Sequence, residues 1–100
     1  MKLFFIKNKG FSRVLKQKLT IINELGLHAR PAALIAKTAR KAKSEIWIEK
    51  DDTRVDATSM IDILSIACQK GSLITLIADS IDDKKIFDEI KDIILNGFGE

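Results

Sequence analysis

The chain predicts an α+β fold, an open-faced β-sandwich in the order β-α-β-β-α-β-α. A four-stranded antiparallel sheet carries three helices on one face. Three observations predict it. The apolar period passes from two to about 3.6 residues three times along the chain. The second half of the chain repeats the strand and helix order of the first. The length of 100 residues, 46% of them hydrophobic and 31% charged, suits one small domain with one modest core.

Each element has its own signature. Residues 14–22 are rich in β-formers and place Leu15, Gln17, Leu19 and Ile21 on one face, a strand that ends at Asn23-Glu24-Leu25-Gly26. Ala32, Ile35, Ala36 and Ala39 fall at helical spacing, with Lys37, Arg40 and Lys41 off that stripe. Glu45–Glu49 alternates, with Ile46 and Ile48 inward, and Asp51-Asp52 turns into a weak partner strand over 53–57. Ser59 and Asp62 form a capping arrangement before a second stripe of Met60, Ile63, Leu64 and Ala67, closed by Gln69-Lys70-Gly71. Residues 72–78 are almost all apolar or β-branched and read as an interior strand. Asp82-Asp83 open a last helix where the dipole favours negative charge; Ile86, Ile90, Ile93 and Ile94 form its stripe and Gly97 and Gly99 end it. Residues 14–100 form the domain, and 1–13 are expected to be a flexible N-terminal extension.

Composition removes several function classes. No apolar run approaches the roughly 20 residues of a membrane helix, and the start of the chain lacks a secretory apolar segment of about 7–15 residues. One cysteine, Cys68, forms no internal disulfide and fits a reducing compartment, so a cytoplasmic protein without stable membrane insertion is expected. Cys68 itself reads as a small buried residue. Residues 1–50 hold twelve Lys/Arg against three Glu, and residues 51–100 hold five against eleven Asp/Glu. Six of the cations precede residue 19, so the basic balance reflects the first eighteen residues more than the rest of the chain. No nucleic-acid partner is expected: there is no Tyr, the Phe residues lie at 4, 5, 11, 87 and 98 outside the strands, and Trp47 alone makes no stacking platform.

Residues 25–31, Leu-Gly-Leu-His-Ala-Arg-Pro, place the only histidine at the junction of a strand and a helix. A helix start offers unpaired N–H groups and partial positive charge, a seat for an anion. A neutral imidazole is a good nucleophile near pH 7. His28 is therefore the candidate phosphoryl acceptor, with either ring nitrogen open to the role. Arg30 is placed to make charge-assisted, bidentate bonds to phosphoryl oxygens, and the amides of Ala29 and Arg30 complete the seat. Gly26 suits a close approach or a positive φ. Pro31 suits a first helical turn but biases Arg30 away from helical angles, so His28 and Arg30 both remain candidates for the cap.

The segment Asn23 to Ala33 resembles the active-site signature of HPr, the histidine phosphocarrier family of the bacterial phosphoenolpyruvate-dependent phosphotransferase system. The resemblance continues through Ser44-Glu45-Ile46, Ser59 and Gln69-Lys70-Gly71, and covers roughly residues 14 to 95. It implies a phosphoryl carrier rather than an enzyme. His28 would take a phosphoryl from phosphorylated Enzyme I and pass it to a histidine of an Enzyme IIA-type domain, in sugar uptake or regulation. It implies a docking surface of Ala29, Met60, Ile61 and Leu64, ringed by Arg30, Lys37 and Arg40. Leu64 also fits the core stripe, and Ile61, off that stripe, is the better docking residue. No cofactor and no metal are expected, and the chain is expected to be a monomer.

The resemblance also implies that Ser59 is a target of HPr kinase/phosphorylase. A helix cap, worth about 1 kcal/mol, explains the same serine, and Asp56 and Asp62 would repel a phosphoserine. The alternative function is therefore a regulatory binding module of the same fold, controlled through Ser59, with His28 silent as a transfer group.

Overall fold

The computed structural model describes residues 2–6 and 12–100, with side chains from Val14 onward. Its elements are β1 (Lys2–Ile6), β2 (Ser12–Thr20), α1 (Ala29–Ala39), β3 (Ile46–Lys50), β4 (Thr53–Asp56), α2 (Met60–Ser65), β5 (Leu73–Ala78) and α3 (Lys84–Leu95), with single 3-10 turns at Ile81–Asp83 and Gly97–Gly99. All pairings are antiparallel, in the order β1-β2-β5-β3-β4. The expected four-stranded sheet and three helices are therefore present, in the expected order.

A fifth strand is added at the β2 edge. It comes from within the segment that reads as a flexible extension, and pairs Leu3 with Leu15 and Phe4 with Val14. The physical reason is the run Leu3-Phe4-Phe5-Ile6, good β-formers facing a row of β2 N–H and C=O groups that an edge leaves unpaired. The rest of the extension, Met1 and residues 7–11, lies outside the described residues.

The core lies between the sheet and the helices. Leu15, Leu19, Ile46, Ile48, Ile74, Leu76 and Ala78 face inward from the strands and meet Ala32, Ile35, Ala36 and Ala39 of α1 and Phe87, Ile90 and Ile94 of α3. The small alanines suit the close packing of α1 with α2 and α3. Among the described residues no helix is long and apolar enough to cross a membrane.

Two local readings are corrected. The second helix is six residues long, and Ala67, expected on its stripe, is exposed with φ 47°. The inward residues are Ile63 and Ile66, three apart, which turns Leu64 outward to 36% exposure rather than into the core. Lys50 Nζ lies 3.1 Å from Ile66 O and 3.0 Å from Ala67 O, and so satisfies carbonyls freed by the early stop.

Asp83 does more than favour a helix dipole. It is buried, and its carboxylate accepts the N–H of Lys43 at 2.9 Å, the N–H of Ser44 at 2.8 Å and the Ser44 hydroxyl. Burial alone would push its pKa up, but the donors from Lys43 and Ser44 and the Lys43 charge outweigh it and hold the carboxyl below its usual range. Because the folded-state pKa is depressed, this contribution is present above the unfolded carboxylate pKa of about 3.9 and is lost as pH falls through the folded value. Asp83→Ala is expected to cost about 2–3 kcal/mol at pH 7, by leaving two N–H groups without an acceptor. Urea unfolding of both proteins should show the gap closing at low pH; a gap independent of pH would contradict it.

Topology brings the chain's end to the loop after β2. Ala78 at the end of β5 lies opposite Leu15 near the start of β2. The twelve residues of α3 then run back about 18 Å at 1.5 Å per residue. Gly97 (φ 61°) turns the chain beside Ile22, and Phe98 drops into the core at 3% exposure. That anchor leaves Glu100 beside His28.

Candidate functional site

The loop between β2 and α1 is fixed from beneath. Gly26 has φ 65°, and a Cβ there would stand 2.2 Å from the carbonyl oxygen of Cys68, so only glycine fits. The same Cys68 oxygen accepts the Leu27 N–H at 2.8 Å, and buried Leu27 pins the loop to the core. Cys68 is buried as expected, and that burial pushes its thiol pKa up.

His28 is the N-cap of α1, with φ −80° and ψ −172°, and its ring makes no capping bond. Arg30 lies inside the helix despite the following proline, because the Ala32 N–H bonds to His28 O at 3.0 Å and closes the first turn. Among the described residues the N–H groups of Ala29 and Arg30 meet no backbone carbonyl, as the first turn requires. The imidazole is thus held at the positive end of an eleven-residue helix, about a third exposed.

A carboxylate sits on this seat. Glu100 Oε2 lies 2.8 Å from His28 Nε2 and 3.2 Å from Arg30 Nη1, and Arg30 Nη1 also donates to Phe98 O at 2.9 Å. Glu100 Oε1 accepts from Asn23 Nδ2 at 2.9 Å. The Asn23 amide, then the His28 ring bond, with the nearby Arg30 charge, hold the Glu100 carboxyl below the usual carboxylate range. Asn23 Nδ2 also donates to Gly26 O at 2.7 Å, the oxygen that accepts the His28 N–H at 3.0 Å.

Sequence reasoning gave neither Glu100 nor Asn23 a role. Asn23 carried a signal: it continues the inward set Leu19, Ile21 by two residues, so a polar group points at the core. Glu100 carried none, being 72 residues from His28.

The remaining candidate residues lie on α1 and α2, which pack together. Ala29, Lys37 and Arg40 are exposed on α1. On α2, Ile61 is 74% exposed, Leu64 36%, and Met60 is half-buried against the core. Arg40 Nε donates to Thr58 O at 3.0 Å and ties the end of α1 to the start of α2. Ser59 is the N-cap of α2, its hydroxyl accepting the Asp62 N–H at 3.1 Å.

Residues 15–96 match the family model described as PTS HPr component phosphorylation site. The chain belongs to the HPr family. The phosphocarrier protein HPr of Neisseria meningitidis serogroup A is 40% identical over 87 residues, 87% of this chain and 98% of that one. The HPr-like protein Crh of Bacillus subtilis is 34% identical over 77 residues, 77% of this chain and 91% of its own. The crystal structure of HPr-C-His from Thermoanaerobacter tengcongensis superposes with a TM-score of 0.79 at 38% identity, covering 86% of this chain and 97% of that one. Membership makes this a phosphocarrier-family protein of the phosphotransferase system.

Proposed function

We propose that this HPr-family chain carries a phosphoryl group on His28, receiving it from phosphorylated Enzyme I and passing it to a histidine of an Enzyme IIA-type domain. The observation that carries the reading is the Glu100 carboxylate, an anion already seated on both His28 and Arg30 at a helix start. Glu100 engages Nε2, so the nitrogen left for attack is Nδ1. The Nδ1 lone pair forms the new N–P bond while the bond from phosphorus to the donor's histidine nitrogen breaks, its electron pair staying on the donor ring. Nε2 keeps its proton, and the same exchange in reverse hands the group on. Arg30 moves from Glu100 and Phe98 O to the phosphoryl oxygens, beside the free amides of Ala29 and Arg30. Each contact must stay modest, because a phosphohistidine held too tightly would not be passed on.

The carrier has no need to hydrolyse or rearrange its cargo; the partners provide the other half of each reaction. Exposed Ala29, Ile61 and Leu64 with Met60 offer an adaptable apolar contact, and Arg30, Lys37 and Arg40 steer acidic partner surfaces. Ser59 serves first as a cap: its hydroxyl is occupied by the Asp62 N–H, and two carboxylates, Asp56 and Asp62, flank it.

The test is incubation with phosphoenolpyruvate and Enzyme I, followed by intact mass measurement. One acid-labile phosphoryl adduct that maps to His28 is expected; no adduct with a competent Enzyme I would sink the reading. A parallel incubation with ATP and HPr kinase reports an acid-stable adduct on Ser59 if the regulatory alternative holds. Arg30→Ala is expected to slow phosphoryl acceptance about tenfold or more, the loss of one charge-assisted hydrogen bond. Arg30→Lys should recover only part, since an ammonium cannot make the bidentate contact. Rapid-quench kinetics of the adduct would show both; equal rates in all three proteins would remove Arg30 from the site.

A further inference from the structure

We infer that Asn23 and Glu100 form a positioning pair that fixes the tautomer of His28, in a relay Asn23 Nδ2 to Glu100 to His28 Nε2. The inference rests on His28 being the acceptor, and adds two residues to that site. Its geometry is a chain of contacts: Asn23 Nδ2 to Glu100 Oε1 at 2.9 Å and Glu100 Oε2 to His28 Nε2 at 2.8 Å.

The orientation of each group follows from its partners. Asn23 is 5% exposed, and its nitrogen faces two acceptors, Gly26 O and Glu100 Oε1. Turning the amide over would put oxygen against oxygen twice, so Nδ2 is the atom that points at Glu100. Asn23 Oδ1 is buried without a hydrogen-bond partner among the described residues. A side chain that leaves one acceptor unpaired to aim its donors at the loop carbonyl and the Glu100 side-chain carboxylate is held there by those two contacts.

An ionised carboxylate only accepts. The bond between Glu100 and Nε2 therefore requires the proton on Nε2, and a neutral ring then carries its lone pair on Nδ1. Carboxylates that orient a nucleophile's imidazole work in the same way, by holding a tautomer and facing the cation that forms. Here the ring becomes cationic as Nδ1 bonds phosphorus, with Nε2–H still on Glu100. Glu100 is then a counter-charge that remains when Arg30 leaves for the phosphoryl. Neither residue touches phosphorus; both act through His28.

The decisive measurement is 15N NMR of the His28 ring in the full, unphosphorylated chain in alkaline buffer. It needs no phosphoryl donor. The wild-type protein should show Nε2 protonated and Nδ1 bare. In Glu100→Gln, a surface change, the ratio of Nε2–H to Nδ1–H should fall about fivefold, the effect of one hydrogen bond. Asn23→Ala should move the ratio in the same direction, and that effect should vanish in the Glu100→Gln background because the two act in series. Should Asn23→Ala fail to fold, Asn23→Ser serves the same cycle, since its hydroxyl cannot reach both acceptors. A wild-type ring protonated on Nδ1, or a ratio unmoved by Glu100→Gln, overturns the inference. With Enzyme I present, Glu100→Gln should accept phosphoryl about fivefold more slowly. A tautomer that shifts as expected in a chain that never accepts phosphoryl supports the pair and refutes the carrier reading instead.

Discussion

Gly26→Ala is expected to destabilise the protein by about 3–4 kcal/mol and to lose phosphoryl acceptance with it. Two penalties act at once. An alanine at φ 65° takes on left-handed backbone strain of about 1–2 kcal/mol. Its Cβ would also stand 2.2 Å from Cys68 O and 2.9 Å from the Cα of Gln69. Both are backbone atoms, so no side chain can swing aside. Relief requires the loop to lift, which breaks the Leu27 N–H bond to Cys68 O and withdraws the Gly26 carbonyl that His28 N–H and Asn23 Nδ2 share. Urea unfolding should show the lower midpoint, and the adduct assay should fail even where the variant is still folded. An alanine variant of wild-type stability would mean that the loop can move off Cys68 at little cost.

His28→Ala should separate chemistry from folding. The ring is about a third exposed, makes no capping bond, and touches the rest of the protein chiefly through Glu100. Its removal is expected to change stability by less than about 1 kcal/mol, as for a partly exposed residue that makes one side-chain hydrogen bond. Phosphoryl acceptance should disappear altogether, because the chain has no other histidine. Intact mass after incubation with phosphoenolpyruvate and Enzyme I gives the answer directly. A surviving acid-labile adduct would place the acceptor elsewhere. The two variants contrast: Gly26→Ala fails because the seat moves, His28→Ala because the nucleophile is gone.

Much of the fold was legible because its rules are local. Ile46 and Ile48 alternate with Glu45, Trp47 and Glu49 and are both fully buried; Ala32, Ile35, Ala36 and Ala39 recur at helical spacing and line the buried face of α1. The second helix was read less well. Over so short a segment Leu64 and Ala67 fit the helical period as well as Ile66 does, and only packing against the sheet selected Ile63 and Ile66. The strand over Lys2–Ile6 was missed because an edge strand is stabilised by the neighbour it pairs with, here β2, more than by its own pattern.

The sequence by itself determined where the proposed acceptor imidazole stands. A β-rich run, a glycine at the loop and an alanine stripe put His28 and Arg30 at a helix start, and the structure decides between them as cap in favour of His28. Tertiary structure alone decided which atoms that imidazole faces. Glu100 reaches it because β5 ends at the far end of the sheet, α3 returns the chain, and Gly97 and buried Phe98 fix the final turn. No local signal encodes a contact between residues 72 positions apart. It arises only when the closed core sets the direction of α3 and brings Glu100 Oε2 to His28 Nε2.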